Sequence, residues 1–176
     1  YMDVVMPKLM LAIKVNDTPK SGKEKIKKEL AMNLLLDLLF SKSSPIYEEL
    51  LEKGWINDSF GAGFTQERDY SFIQIGGDSA SYQELRDYLY DLIKKAKTIQ
   101  ITKENFERVK RKTIGSFITS YNSPEAIANM FSRYYFEDII SLDIIDEIEK
   151  ITCEDVHAML NYFDLDLTTT HLVLPK

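Results

Sequence analysis

The sequence predicts an α+β fold, a small, mainly antiparallel sheet packed against several helices. Three observations point to it. Residues 58–65 and 69–76 alternate apolar and small or polar side chains, as half-buried strands do. They are joined by the polar turn Gln66-Glu67-Arg68-Asp69, which makes an antiparallel hairpin. Long stretches with helical apolar spacing lie on either side of the hairpin, and a β-branched run, Thr168 to Leu174, closes the chain.

The elements follow in order. Lys8 to Val15 reads as a strand between Pro7 and the turn Asn16-Asp17-Thr18-Pro19. Ser21, with Glu24 three residues on, forms a capping box that opens a helix. Ile26, Leu30, Leu34, Leu35, Leu38 and Leu39 give that helix a broad core face. From Ala31 to Phe40 it is apolar nearly all round, interrupted by Asn33 and Asp37, so it is expected to be covered on more than one side. Ser44-Pro45 is an N-cap with proline at the first helical position, and the short helix runs to Lys53, with Gly54 as its stop.

In the hairpin, Phe60, Ala62 and Phe64 share one face, and Ser71, Ile73 and Ile75 oppose Tyr70, Phe72 and Gln74. Ser81 and Glu84 predict a second capping box, for a helix ending in Lys94, Lys95 and Lys97, cations that suit a helix C-terminus. A third long helix spans about Thr102 to Tyr121, with Phe106, Val109, Ile114, Phe117 and Ile118 inward. Ser123-Pro124 starts the next, whose end is crowded by Phe131, Tyr134, Tyr135 and Phe136. Leu142 to Ile148 is a short helix. Thr152, with Asp155, caps a last one through Tyr162.

Composition narrows the function. Apolar residues make up 44% and charged residues 28%, ordinary for a water-facing domain, and 176 residues suit one domain. The net charge of −6 argues against nucleic-acid binding, and the basic run Lys103 to Lys112 is mixed with Glu104 and Glu107, as on a solvated helix face. No apolar stretch approaches the roughly 20 residues that span a bilayer, so no membrane partner is expected. Cys153 is the one cysteine, which excludes an intrachain disulfide and suits a reducing, cytoplasmic setting. The chain starts at Tyr1 rather than an initiator, and residues 1–176 are expected to be a single domain excised from a longer multi-domain chain.

The candidate chemistry reduces to structural readings. His157 and His171 are 14 residues apart and read as packed or surface side chains. Asp164 and Asp166, near Glu154 and Asp155, lack the glycine and terminal glutamate of an EF-hand. Gly76-Gly77 lacks the G-K-[ST] of a phosphate loop. Cys153 opens a helix, but Glu154 and Asp155 oppose a thiolate. Glu48, Glu49 and Glu52 form a solvated face. Gly61 and Gly63 share a strand face that admits close approach of another backbone, read first as a packed helix and second as a substrate peptide.

The order of these elements resembles one domain of the pitrilysin/insulinase family of zinc metallopeptidases. The resemblance is carried by PKLMLAIKV, by ELAMNLLLDLLFSKSSPIYEELLEKGWI, by SFGAGFTQERDYSFIQIGGDS and by TKENFERVKRKTIGSFI. It implies a metallopeptidase-half domain of the LuxS/mitochondrial processing peptidase-like type, in a bacterial protein. In such enzymes one half carries an inverted zinc motif, H-x-x-E-H, whose glutamate serves as general base on a zinc-bound water. The other half holds no metal and closes a chamber over the peptide substrate. This sequence has no H-x-x-E-H. Leu51 stands where the resemblance places a substrate-gripping arginine and Asp58 where it places a tyrosine, with Phe60 the nearest aromatic in the strand. No catalytic, cofactor-binding or metal-binding residue is therefore assigned. The expectation is a non-catalytic C-terminal domain, with zinc held elsewhere in the parent enzyme. Its partners would be sister domains or a homologous subunit, and a peptide substrate. The alternative is a proteolytically inactive assembly, scaffold or partner subunit with the same fold.

Overall fold

A computed structural model describes residues 4–17, 19, 22–136 and 138–176. Its elements are β1 (Lys8–Val15), α1 (Gly22–Phe40), α2 (Pro45–Glu52), β2 (Gly61–Gln66), β3 (Ser71–Asp78), α3 (Tyr82–Lys95), α4 (Lys103–Ser120), α5 (Pro124–Tyr135), α6 (Ile144–Lys150), α7 (Cys153–Ala158) and β4 (Thr168–Val173). The strands form one antiparallel sheet in the order β2-β3-β1-β4. This is the α+β architecture that the sequence predicts.

The sheet is covered on one face. Leu9, Leu11, Ile13 and Val15 of β1 are buried and pair with Gly77, Ile75, Ile73 and Ser71 of β3. The alternate residues Lys8, Met10 and Lys14 face solvent. A period-2 strand with one wet face produces this division. Under the buried face runs α1, packed against β2 and against α2, α4, α6 and α7. Leu34, Leu35 and Leu36 are all buried, so the helix is covered on several sides as its composition demands. Its N-terminal half also buries Lys25, Lys28 and Glu29, which apolar spacing alone does not reveal. Their charges are accommodated locally. The Lys28 ammonium lies 4.2 Å from the centre of the Tyr162 ring, and Glu29 is bonded by Arg133 of α5. Burial pushes the Lys28 ammonium below its ordinary value.

Three of the expected caps form, at Ser44, Ser123 and Thr152, and Thr102 caps α4 in the same way. Ser44, Thr102, Ser123 and Thr152 each accept a hydrogen bond from the backbone N–H three residues on, and Thr152 with Asp155 completes a capping box. Ser44 is buried, and its hydroxyl also donates to the Leu39 carbonyl at 2.8 Å, tying the end of α1 to the start of α2. Ser44→Ala is expected to lower stability by about 1–2 kcal/mol, read as a shift of the urea midpoint at constant slope. An unchanged midpoint would show that the bend is held by packing alone.

The predicted Ser81–Glu84 box does not form. Ser81 has ψ 44°, outside the extended conformation that aims a cap side chain at the helix, and makes no cap bond. The cap predicted at Ser21, and Thr18 in the preceding turn, lie outside the described residues. β2 begins at Gly61 rather than Asp58, because Asn57 turns the chain: its side chain accepts from Ser59 N–H and its carbonyl from Phe60 N–H. Ile118 is exposed rather than inward, since α4 buries only Phe106 and Val109 fully. The helices predicted around Leu142 and through Tyr162 each exchange a turn for 3-10 geometry, at Ser141–Asp143 and Met159–Tyr162.

Candidate functional site

The residues weighed for chemistry do not converge. His157 lies exposed on α7 and His171 exposed on β4, opposite Met10. Asp155 is engaged by the Thr152 cap and by Lys27 at 2.6 Å, and Asp164 accepts from the Asp166 N–H. Burial, then the charges of Glu154 and Glu107, pushes the Cys153 thiol up, away from a reactive thiolate. Among the described residues no group of three or more His, Cys, Asp or Glu side chains could hold a metal ion, and no helix is long and apolar enough to cross a membrane.

The short helix α2 shows what its carboxylates do instead. Glu49 accepts from Lys53 at 2.5 Å and from the Tyr88 hydroxyl at 2.8 Å, while Trp55 packs edge-on to the Tyr88 ring. Burial first, and the bond to Glu49 second, push the Tyr88 phenol up to about 12. The folded value lies above the ordinary value of 10.0. This contribution to stability is therefore fully present below pH 10 and is lost as the pH rises from there towards 12. Tyr88→Phe is expected to flatten that alkaline loss, followed by denaturation at several pH values. A Tyr88 phenol that ionises with the exposed tyrosines, seen in ultraviolet titration, would refute this.

One concave region combines an open strand edge with charge. A cleft of about 250 Å³ lies between α1, the bend after it and β2, lined among others by Asn33, Leu36, Asp37, Lys42, Tyr47, Gly61 and Ala62. The Lys112 ammonium from α4 bonds both oxygens of Asp37 at 2.9 Å, and Lys42 pairs with Asp58 at 2.6 Å. Leu51 stands 49% exposed on α2 and is not among the residues that line this cleft.

β2 is an outer strand of the sheet. The Glu67 N–H donates to the Tyr70 carbonyl, which makes that pair hydrogen-bonded. By the alternation of an antiparallel ladder, and with Phe64 opposite Ile73 and Ala62 opposite Ile75, the N–H groups of Ala62 and Phe64 point away from β3. Side chains added at Gly61 or Gly63 would meet nothing within 4 Å. The expected packed helix is therefore not there, and the edge carries none of the lysine, proline or bulge that commonly blunts one.

Asn33, Leu36 and Asp37 fall at the i, i+3 and i+4 spacing that H-x-x-E-H also has. Their donor set is an amide, a hydrocarbon and a carboxylate already neutralised by Lys112, with no histidine among them. Zinc does not fit this face of α1. Asp37 was legible in sequence only as an interruption of the apolar helix. Its partner lies 75 residues away, and no local pattern signals it.

The α+β architecture, a four-stranded antiparallel sheet packed on helices, is one that M16-like peptidases share. The chain belongs to the M16 peptidase family, since residues 2–113 match the family profile described as the peptidase M16 inactive domain. It is 41% identical over 176 residues to the uncharacterized zinc protease YmfH of Bacillus subtilis (strain 168), covering 99% of this chain and 41% of that protein. Its fold superposes with a TM-score of 0.92 on a chain described as an M16-like peptidase from Alicyclobacillus acidocaldarius, at 23% identity, covering 100% of this chain and 42% of that one. A protease from Helicobacter pylori superposes with a TM-score of 0.79 at 23% identity, covering 98% and 42%. The chain thus spans about two fifths of the length of these bacterial relatives.

Proposed function

We propose that this domain walls the peptide-binding chamber of an M16 zinc peptidase without taking part in the bond cleavage. Zinc and the general base would be supplied by another domain of the parent chain, or by a homologous subunit. The observation that supports this best is the free edge of β2, bordered by the cleft. An extended peptide can add there as a further strand, its backbone meeting the outward N–H and C=O groups of Ala62 and Phe64. Gly61 and Gly63 leave room for it. The same reading makes residues 1–176 one domain of a longer chain. A cytoplasmic setting accords with the solitary Cys153.

The test has two arms. This chain alone is expected to hold no stoichiometric zinc by elemental analysis and to leave a quenched peptide uncleaved. In the parent enzyme, Ala62→Pro removes one outward N–H at an edge position where proline is tolerated. It should raise KM for the peptide severalfold while zinc content and the circular dichroism of the fold stay unchanged. Chelator-sensitive cleavage by this chain alone would overturn the non-catalytic assignment, and an unchanged KM would remove the β2 edge from substrate binding. A parent that binds no zinc and cleaves nothing would point to a scaffold.

A further inference from the structure

We infer that the exposed aromatic stripe at the end of α5, with the turn after it, is the surface on which a second domain of the same parent chain docks. The inference rests on the reading above that this chain is one domain of a longer one. α5 is anchored to the body by Tyr134, which is buried, and by Arg133, which reaches Glu29 on α1. Beside that anchor runs a second stripe at helical spacing, Ile127, Phe131 and Tyr135, exposed by 40%, 58% and 68%. Phe136, Ile140 and Leu142 extend it, at 81%, 62% and 70%.

These side chains are ordered against one another. Phe131 stacks on Tyr135 with ring centres 6.3 Å apart, and Tyr135 meets Phe136 edge-on at 5.9 Å. Asp138, at φ 58°, reverses the chain so that Ile139 N–H closes on the Tyr134 carbonyl. Tyr135, Phe136, Asp138, Ile139 and Ile140 then line a hollow of about 470 Å³. A monomeric surface seldom leaves so many large apolar groups contiguous, and a patch of this kind marks an interaction site.

The occupant follows from shape and from length. The stripe is the convex side of a helix beside a shallow hollow, which suits a facing helix and one inserted side chain. It offers no strand edge to an extended peptide. The relatives carry well over half of their length outside the part that this chain matches. Contacts between domains of one chain are of this kind, partly apolar and edged by charge such as Arg133, Asp138 and Asp143.

Hydrogen exchange on this chain and on its full-length parent tests the inference. Amides of residues 127–142 should exchange at least about tenfold more slowly in the parent, with no dependence on protein concentration. Phe131→Ser combined with Phe136→Ser should abolish the extra protection in the parent. In this chain alone, the same pair should leave the melting midpoint nearly unchanged, because both side chains are already in water. Equal exchange in a parent that carries the further domains would overturn the docking surface. Protection that grows with concentration would assign it to a second copy instead. A cellular product of 176 residues, seen by mass on immunoblot, would remove the underlying one-domain reading as well.

Discussion

Gly76→Ala lowers the urea midpoint of this chain sharply, whereas Gly61→Ala leaves it unchanged or raises it slightly. The two glycines face each other across β2 and β3, Gly76 buried in an inner strand and Gly61 half-buried in an outer one. What separates them most is space. A Cβ at Gly76 would lie 2.1 Å from the Leu9 carbonyl oxygen and 2.9 Å from Met10 Cα. Both are backbone atoms of β1, so no rotamer can move aside. Relief requires β1 and β3 to separate, which disturbs the adjoining pair Leu11–Ile75, both fully buried. Gly77 is under the same constraint from Phe60 N and Cα, at 2.8 and 2.7 Å. Overpacking of this kind costs on the order of 3 kcal/mol or more, out of the roughly 5–15 kcal/mol that holds a domain folded. At Gly61 the added methyl enters open space, and the lower entropy of the unfolded chain gives up to about 1 kcal/mol in the other direction. The slope of the urea transition should be the same for both variants. A Gly76→Ala protein within about 0.5 kcal/mol of the parent would mean that the strands lie further apart than described, and the argument from contact would fail.

The glycine pair shows where sequence reading stops. Gly76-Gly77 could be excluded as a phosphate loop from its neighbours in sequence, but the reason for two glycines lies in backbone atoms of β1 and of the turn before β2. Local pattern sufficed where the physics is local. The caps read at Ser44, Ser123 and Thr152 depend on a side chain and an N–H three residues away, and all three form. Ser81 has the same residue types but a backbone angle imposed by its surroundings, so the pattern misleads there. Helical spacing found the apolar core of α1 but not the burial of Lys25, Lys28 and Glu29 in its N-terminal half. It could not tell that Tyr134 is buried while Tyr135 is exposed, since both belong to an aromatic cluster and the anchor between α5 and α1 spans 104 residues. The candidate cleft was the least legible feature. Asp37 and Lys112 are each ordinary helix charges until α1 and α4 are packed together.

The second large effect is at the centre of α1. Leu35→Ala is expected to cost about 3–4 kcal/mol, within the range of roughly 2–5 for a fully buried leucine. Leu38→Ala, three residues on and only partly buried, should cost less than half as much. Leu35 has no exposed surface, and the helix that carries it touches β2 and four other helices. The cavity left by Ala is therefore bounded by several elements at once, none of which can close it without leaving another contact. This makes the loss global rather than local. A destabilisation of about 3 kcal/mol should speed exchange of the slowest amides in β1 and β3 by about a hundredfold, although Leu35 lies in neither strand. If only the amides of α1 and α2 respond, that helix unfolds separately from the sheet. The cleft beside β2 would then be formed by an element that moves independently of its own floor.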